Sequence, residues 1–184
     1  MIPVFLYLPM SNKFADQLRS LSNLRSQLEN VEQALPEELF QFVSSVTPLV
    51  NVDLLIQDSP IGKQRTLLTW REDDFYRGWH LPGGILRFKE DFASRLNLVA
   101  KHELQSSIKS TSSIVEVNEK INPSRDIRGH FISILFRVTL TEEPPLHFHC
   151  EHLEMPRHGQ WAWHHTVPKD LLLQHEVYRK YFVE

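Results

Sequence analysis

The chain has 184 residues, 41% hydrophobic and 23% charged, with a formal net charge of −3. That predicts one domain with an appendage and enough apolar mass for a core, and it excludes a global basic field that would gather nucleic acid. A single cysteine, Cys150, excludes an internal disulfide framework, and no stretch is long and apolar enough to span a membrane. The apolar start "MIPVFLYLPM" lacks a basic lead and a small-residue cleavage site, so it does not read as a secretory signal, and the expected compartment is the cytoplasm.

In chain order, residues 13–35 predict a helix. Leu21, Leu24, Leu28, Val31 and Leu35 repeat at 3-4-3-4 spacing and Phe14 extends the stripe backward, which suits either packing on its own domain or a dimer contact. "LPEELFQFV" predicts a second short helix with Pro36 in its first turn. "PLVNVDLLIQ" alternates, with Val50, Val52, Leu54 and Ile56 on one face and Asn51, Asp53 and Gln57 on the other, and predicts a strand. After the turn "DSPIGKQ", a strand is expected at 65–70. "LPGG" is a tight turn whose Gly83 and Gly84 are expected to supply unusual backbone angles. A helix is expected over 91–105, strands over 129–140 and 160–165, and a closing helix in "PKDLLLQHEVYRKYF" with Pro168 near its start. Helices flanking non-consecutive strands argue a layered α/β or α+β domain over 37–184, with 1–36 as an N-terminal extension.

"HFHCEH" puts His147 and His149 on one expected strand face, near Cys150 and His152, but zinc sites draw ligands from separate elements, and this run sits beside the Pro144–Pro145 break. Trp161 and Trp163 alternate on one strand face and read as core or as a base-stacking surface.

Gly84 and Glu90 fit the spacing G-x5-E, followed after seven residues by a helical stretch that ends in Glu103. This resembles the Nudix box, G-x5-E-x7-R-E-U-x-E-E-x-G-U with U aliphatic. The box's Arg is here Leu98, the next Glu is Val99, the Glu–Glu pair is His102–Glu103 and the last Gly is Gln105. The GDP-mannose mannosyl hydrolases depart similarly. The segments "TPLVNVD", "GWHLPGG", "GHFISILFRV" and "HGQWAW" also resemble that branch, in order, over about residues 40–184.

The resemblance implies an α/β/α sandwich around a mixed β-sheet, a homodimer, and hydrolysis of a nucleotide sugar such as GDP-mannose, with water displacing the nucleoside diphosphate at sugar C1. Positions 99, 102 and 103 are expected on one helix face. Val99, His102 and Glu103 there leave one carboxylate, which with the Gly83 carbonyl suits a single Mg²⁺ or Mn²⁺ that leans on substrate phosphates. By resemblance, His158 is the general base, Arg71 steadies the departing diphosphate, Asp53 contacts the sugar, and His130 opens the long strand. Arg157 stands where the branch has a Gln metal ligand, so it either weakens the metal site or supplies charge to the phosphates. Ile85 replaces an arginine after the glycine pair, and Arg87 is the candidate substitute. Two rival readings remain: ordinary cleavage of the P–O–P bond, and a non-catalytic module that binds a nucleotide sugar.

Overall fold

The computed structural model describes residues 35–58, 64–109 and 113–182, with helical backbone also at 16, 17, 19, 20, 22 and 23. The chain separates into two compact units, Met1–Leu35 and Pro36–Glu184. Apart from Leu35, the apolar stripe expected on the first helix lies outside the described residues. So does most of the turn before the second strand.

In the larger unit, helix α1 (Glu37–Val46) leads into strand β1 (Leu49–Asp58) and hairpin partners β2 (Arg65–Glu72) and β3 (Arg77–His80). A short β4 (Gly83–Ile85) precedes helix α2 (Phe92–Leu104), then come β5 (Ser113–Ile121), β6 (His130–Val138) and β7 (Trp161–His164). The sheet runs β3-β2-β1-β6-β5, with β4 added to β1 and β7 to β2. Only β1 and β6 run parallel, paired from Leu49–Phe131 to Ile56–Val138, so the sheet is mixed, as expected.

β1 changes partner midway. Asn51–Asp53 pair with β4, whereas β2 is paired only at Gln57 and Asp58. The sheet therefore splits along this side. The split lies between Gly83 on β4 and the Thr69–His80 pair of β2 and β3.

Both faces of the sheet are covered, so β1 is buried from Val52 to Ile56 on both sides. One face packs Val52, Leu54 and Ile56 against Leu96, Val99, Ala100 and Leu104 of α2. The other packs Leu55, Leu68, Trp79 and Leu135 against Leu171, Tyr178 and Phe182. That covering layer corrects the expected C-terminal α-helix: Leu173–Tyr181 forms 3₁₀ turns. Its inward residues Leu172, His175, Tyr178 and Tyr181 recur every three positions, the period of a 3₁₀ helix. His147 falls in a further 3₁₀ turn (Leu146–Phe148) rather than on a strand face, and His149 packs edge-on against Trp161. Among the described residues no helix is long and apolar enough to cross a membrane.

Candidate active site

Helix α2 is placed by its ends. Asp91 caps it, accepting from the Ser94 amide at 2.7 Å, and Gln105 closes it in the left-handed region at φ 50°. Glu90 just ahead of it grips Arg95 (2.7 Å to Nε), fastening the preceding loop to the helix. The last turn then delivers Glu103 to the split in the sheet. Its Oε1 accepts from the Gly83 amide at 3.0 Å and its Oε2 from the Thr69 hydroxyl at 2.9 Å. One carboxylate thus ties β4 to β2.

The glycine pair works differently from the expectation. Neither residue has a positive φ. A Cβ on Gly83 would collide with the Asp53 carboxylate, and one on Gly84 would meet Val99 at 2.8 Å and Arg95 at 3.4 Å. Close approach, not backbone conformation, requires them.

Glu103 lines an open cleft of about 540 Å³. Arg71, His158 and His102 line the same cleft, as do Thr69 and His80, which sequence reasoning missed. Arg71 pairs with Asp73, which also accepts from the amides of Phe75 and Tyr76. Burial pushes the Asp73 carboxyl up, but Arg71 and the two amides outweigh it, and its pKa lies below the usual value. His158 sits before Gly159, whose φ of 81° turns the loop back. Its Nδ1 accepts from the Glu72 amide at 3.1 Å, so in the neutral ring Nε2 carries the proton and donates. His80 has the opposite tautomer. Its Nδ1 lies 2.8 Å from the Leu81 carbonyl, which can only accept, so the neutral ring keeps a lone pair on Nε2. That Nε2 lies 3.2 Å from Thr69 Oγ1 and 3.8 Å from Glu103.

Asp53 lies in a second, smaller cavity that shares Arg71 and His80 with the cleft. It is 1% exposed and already accepts three bonds, from Asn51 (2.7 Å), Lys120 (3.1 Å) and Tyr178 (2.5 Å). Burial pushes its pKa up, yet Lys120 and the Tyr178 hydroxyl hold it below the ordinary carboxylate value. Burial drives His175 well below the usual histidine value and keeps it neutral, while burial and Asp53 together push the Tyr178 phenol up.

The remaining expected residues lie elsewhere. His130 faces Glu119 across β5–β6 at 3.2 Å, and neither Arg87 nor Arg157 lines the cleft or the smaller cavity. Both arginines are exposed, their backbone amides serving local turns through Glu90 and Gln160.

No family model matches the chain. It is 27% identical over 128 residues to the low-salt glycan biosynthesis protein Agl8 of Haloferax volcanii, covering 67% of this chain and 79% of that protein. Its backbone superposes on a MutT NUDIX hydrolase from Burkholderia pseudomallei with a TM-score of 0.57 at 18% identity, over 74% of this chain and 99% of the other. The chain has the Nudix fold. The NUDIX domain of Shewanella oneidensis NrtR, solved with ADP ribose, aligns at a TM-score of 0.47 and 15% identity over 84% of this chain and 82% of its own.

Within that fold the altered box positions acquire physical meanings. Val99, where the box has its first helical Glu, is 4% exposed and belongs to the core, so positions 99, 102 and 103 do not share the cleft. Gln105, where the box has Gly, occupies a left-handed cap that suits glycine. Among the described residues no three His, Cys, Asp or Glu side chains are arranged to hold a metal. Two carboxylates line the cleft, Glu103 and Asp73, and Asp73 is paired with Arg71, which leaves Glu103 and neighbouring carbonyls as donors. That set fits a hard cation held through one carboxylate with waters and ligand phosphates completing its shell.

Proposed function

We propose that the protein is a divalent-cation-dependent hydrolase of a nucleoside diphosphate sugar, GDP-mannose or a relative, in which water attacks sugar C1 and the nucleoside diphosphate departs. The observation that carries this reading is the shared cleft. Glu103, Arg71 and His158 come from α2, β2 and the loop before β7, yet line one space within the usual size range of ligand sites. The similarity to a glycan biosynthesis protein supports a sugar-bearing ligand. Fold alone does not choose the reaction.

Glu103 and the Gly83 carbonyl would hold Mg²⁺ or Mn²⁺, which would supply charge neutralisation at the diphosphate. Arg71, steadied by Asp73 and stacked over Tyr76 at 4.8 Å, adds a fixed cation for the same oxygens. Attack at C1 needs less cationic charge at the reacting atom than attack at phosphorus, which agrees with a single carboxylate ligand. The proton of the attacking water goes to a histidine. For His158 this requires release of the Glu72 amide from Nδ1, and for His80 it requires that water take the place of the Thr69 hydroxyl beside Nε2. Substituting each histidine by Gln separates them: the base is the one whose loss lowers kcat while ligand affinity is kept. A homodimer belongs to this reading and is checked by sedimentation.

The deciding experiment is turnover of a nucleotide-sugar panel with Mg²⁺ in ¹⁸O-water. Label in the free sugar supports attack at carbon. Label in a phosphate product transfers the assignment to P–O–P cleavage, and tight binding without turnover transfers it to a non-catalytic module.

A further inference from the structure

The loop between β5 and β6 brings two arginines onto one aromatic ring. The Arg125 and Arg128 guanidiniums lie 4.6 and 5.7 Å from the Tyr76 ring centre, and Arg71 lies 4.8 Å from it. Arg128 also faces Phe75 at 5.3 Å and Phe40 at 5.8 Å. Three cations thus converge on a small volume. Arg71 is answered by Asp73. Among the described residues no carboxylate pairs with Arg125 or Arg128, and Arg125 Nη1 and Arg128 Nε are buried without a hydrogen-bond partner.

The loop is built to hold this arrangement. The Arg128 amide donates to the Ser44 carbonyl of α1 at 3.3 Å, and Asn122 donates to Gly129 across the loop at 2.7 Å. Arg128 itself takes a left-handed φ of 57°, a conformation that costs a non-glycine residue about 1 kcal/mol or more. Burial pushes its pKa below the usual arginine value, although a guanidinium stays charged at any working pH. Asp73 and Glu37 act on this guanidinium through space, but among the described residues neither forms an ion pair with it, and a partly desolvated cation without a direct partner on a strained backbone is poor design for stability. It is good design for meeting an anion that arrives from outside.

Arg128 lines the smaller cavity, with Lys120 and Arg71 also in its wall. The one acid there, Asp53, is already engaged by Lys120 and Tyr178. The cavity holds about 160 Å³, close to the roughly 150 Å³ that accommodates a benzene-sized ring. We propose that Arg128 is an oxyanion site in this cavity that takes a phosphate or carboxylate group of the ligand, with Lys120, held by Asp53, in the same wall. Placing this group on the same ligand as the diphosphate rests on the function proposed above. Anion capture by Arg128 does not.

The test is calorimetric titration at constant ionic strength, without divalent cation, of inorganic pyrophosphate, inorganic phosphate and glucuronate into the wild type, Arg128→Gln, Arg128→Lys and Lys169→Gln. Lys169 is exposed and outside both cavities. At least one anion binds the wild type and Lys169→Gln alike, and weakens at least tenfold in Arg128→Gln. Arg128→Lys keeps the charge but not the planar fork and weakens at least threefold, which keeps the test decisive should the Gln variant not fold. Preference for pyrophosphate assigns the site to the ligand's phosphates, and preference for glucuronate assigns it to an acidic sugar. Equal binding by wild type and Arg128 variants, or no binding of any anion at millimolar concentration, overturns the proposal. Because no turnover is read, failure of the hydrolase reading leaves this result intact, and the converse holds too.

Discussion

Asp53→Asn tests whether this residue holds the fold as well as facing a ligand. The carboxylate is 1% exposed, and its partner Lys120 has a side chain only 10% exposed. Asparagine is isosteric, but it leaves the ammonium facing a neutral amide and offers one accepting oxygen where three donors converge. Removing one member of a buried ion pair costs about 3–5 kcal/mol, and the retained amide oxygen places this case near 3. With a urea slope of about 2 kcal/mol per molar, the unfolding midpoint falls by roughly 1.5 M. The buried Trp70, Trp79 and Trp161 supply the fluorescence signal. Asp53→Asn/Lys120→Met, lacking both charges, recovers most of the loss. The folded pKa of Asp53 is depressed, so its contribution is present above the ordinary carboxylate value and disappears as pH falls through the folded one. The gap between wild type and variant is therefore widest near neutrality and closes in acid. A midpoint for Asp53→Asn within about 0.3 M of wild type at pH 7, on the same slope, would refute the reasoning.

Three more expectations follow from single sites. Glu103→Ala loses two charge-assisted bonds in a partly exposed setting and destabilises by about 2–4 kcal/mol, whereas Glu103→Gln keeps an oxygen for the Gly83 amide and costs about 1; unfolding curves rank the two, and both lose cation-dependent turnover. Burial lowers the His164 pKa from 6.5 to about 4, so stability is constant above pH 6.5 and declines towards pH 4 by about 3 kcal/mol from this residue. His164→Phe flattens that decline in urea titrations at pH 7, 6 and 5, and an unchanged slope would remove His164 as its cause. Gln105→Gly relieves a left-handed cap and raises stability by about 1 kcal/mol, a melting shift of roughly 2–4 °C in scanning calorimetry.

What the sequence disclosed and what it hid have separate physical causes. β1, β6 and α2 were readable because their apolar periodicity is long and α2 carries a cap at Asp91. β3 and β4 have four and three residues, too few to display a period. β5 lies at the sheet edge with Ile114, Val117 and Ile121 exposed, and a register shift between Ile114 and Glu116 breaks its alternation. The closing segment suits a helix of either pitch by composition, and only its packing every third residue marks it as 3₁₀. At the cleft, residue type and order sufficed to nominate Glu103, Arg71 and His158. They did not separate these from Arg87 and Arg157, whose exposure depends on loop direction. His80 became visible only through its register opposite Thr69, and Arg128 only through a loop folded back on α1. Neither signal is local in sequence.

Val99 limits what the helix can present. A methyl of this residue sits against Gly84 and the side chain belongs to the layer under α2, so a carboxylate placed here would be stranded in hydrocarbon. Arg95, one helical turn before it, is already paired with Glu90. A glutamate at this position would therefore carry a folding cost before it could offer the cleft a further acid.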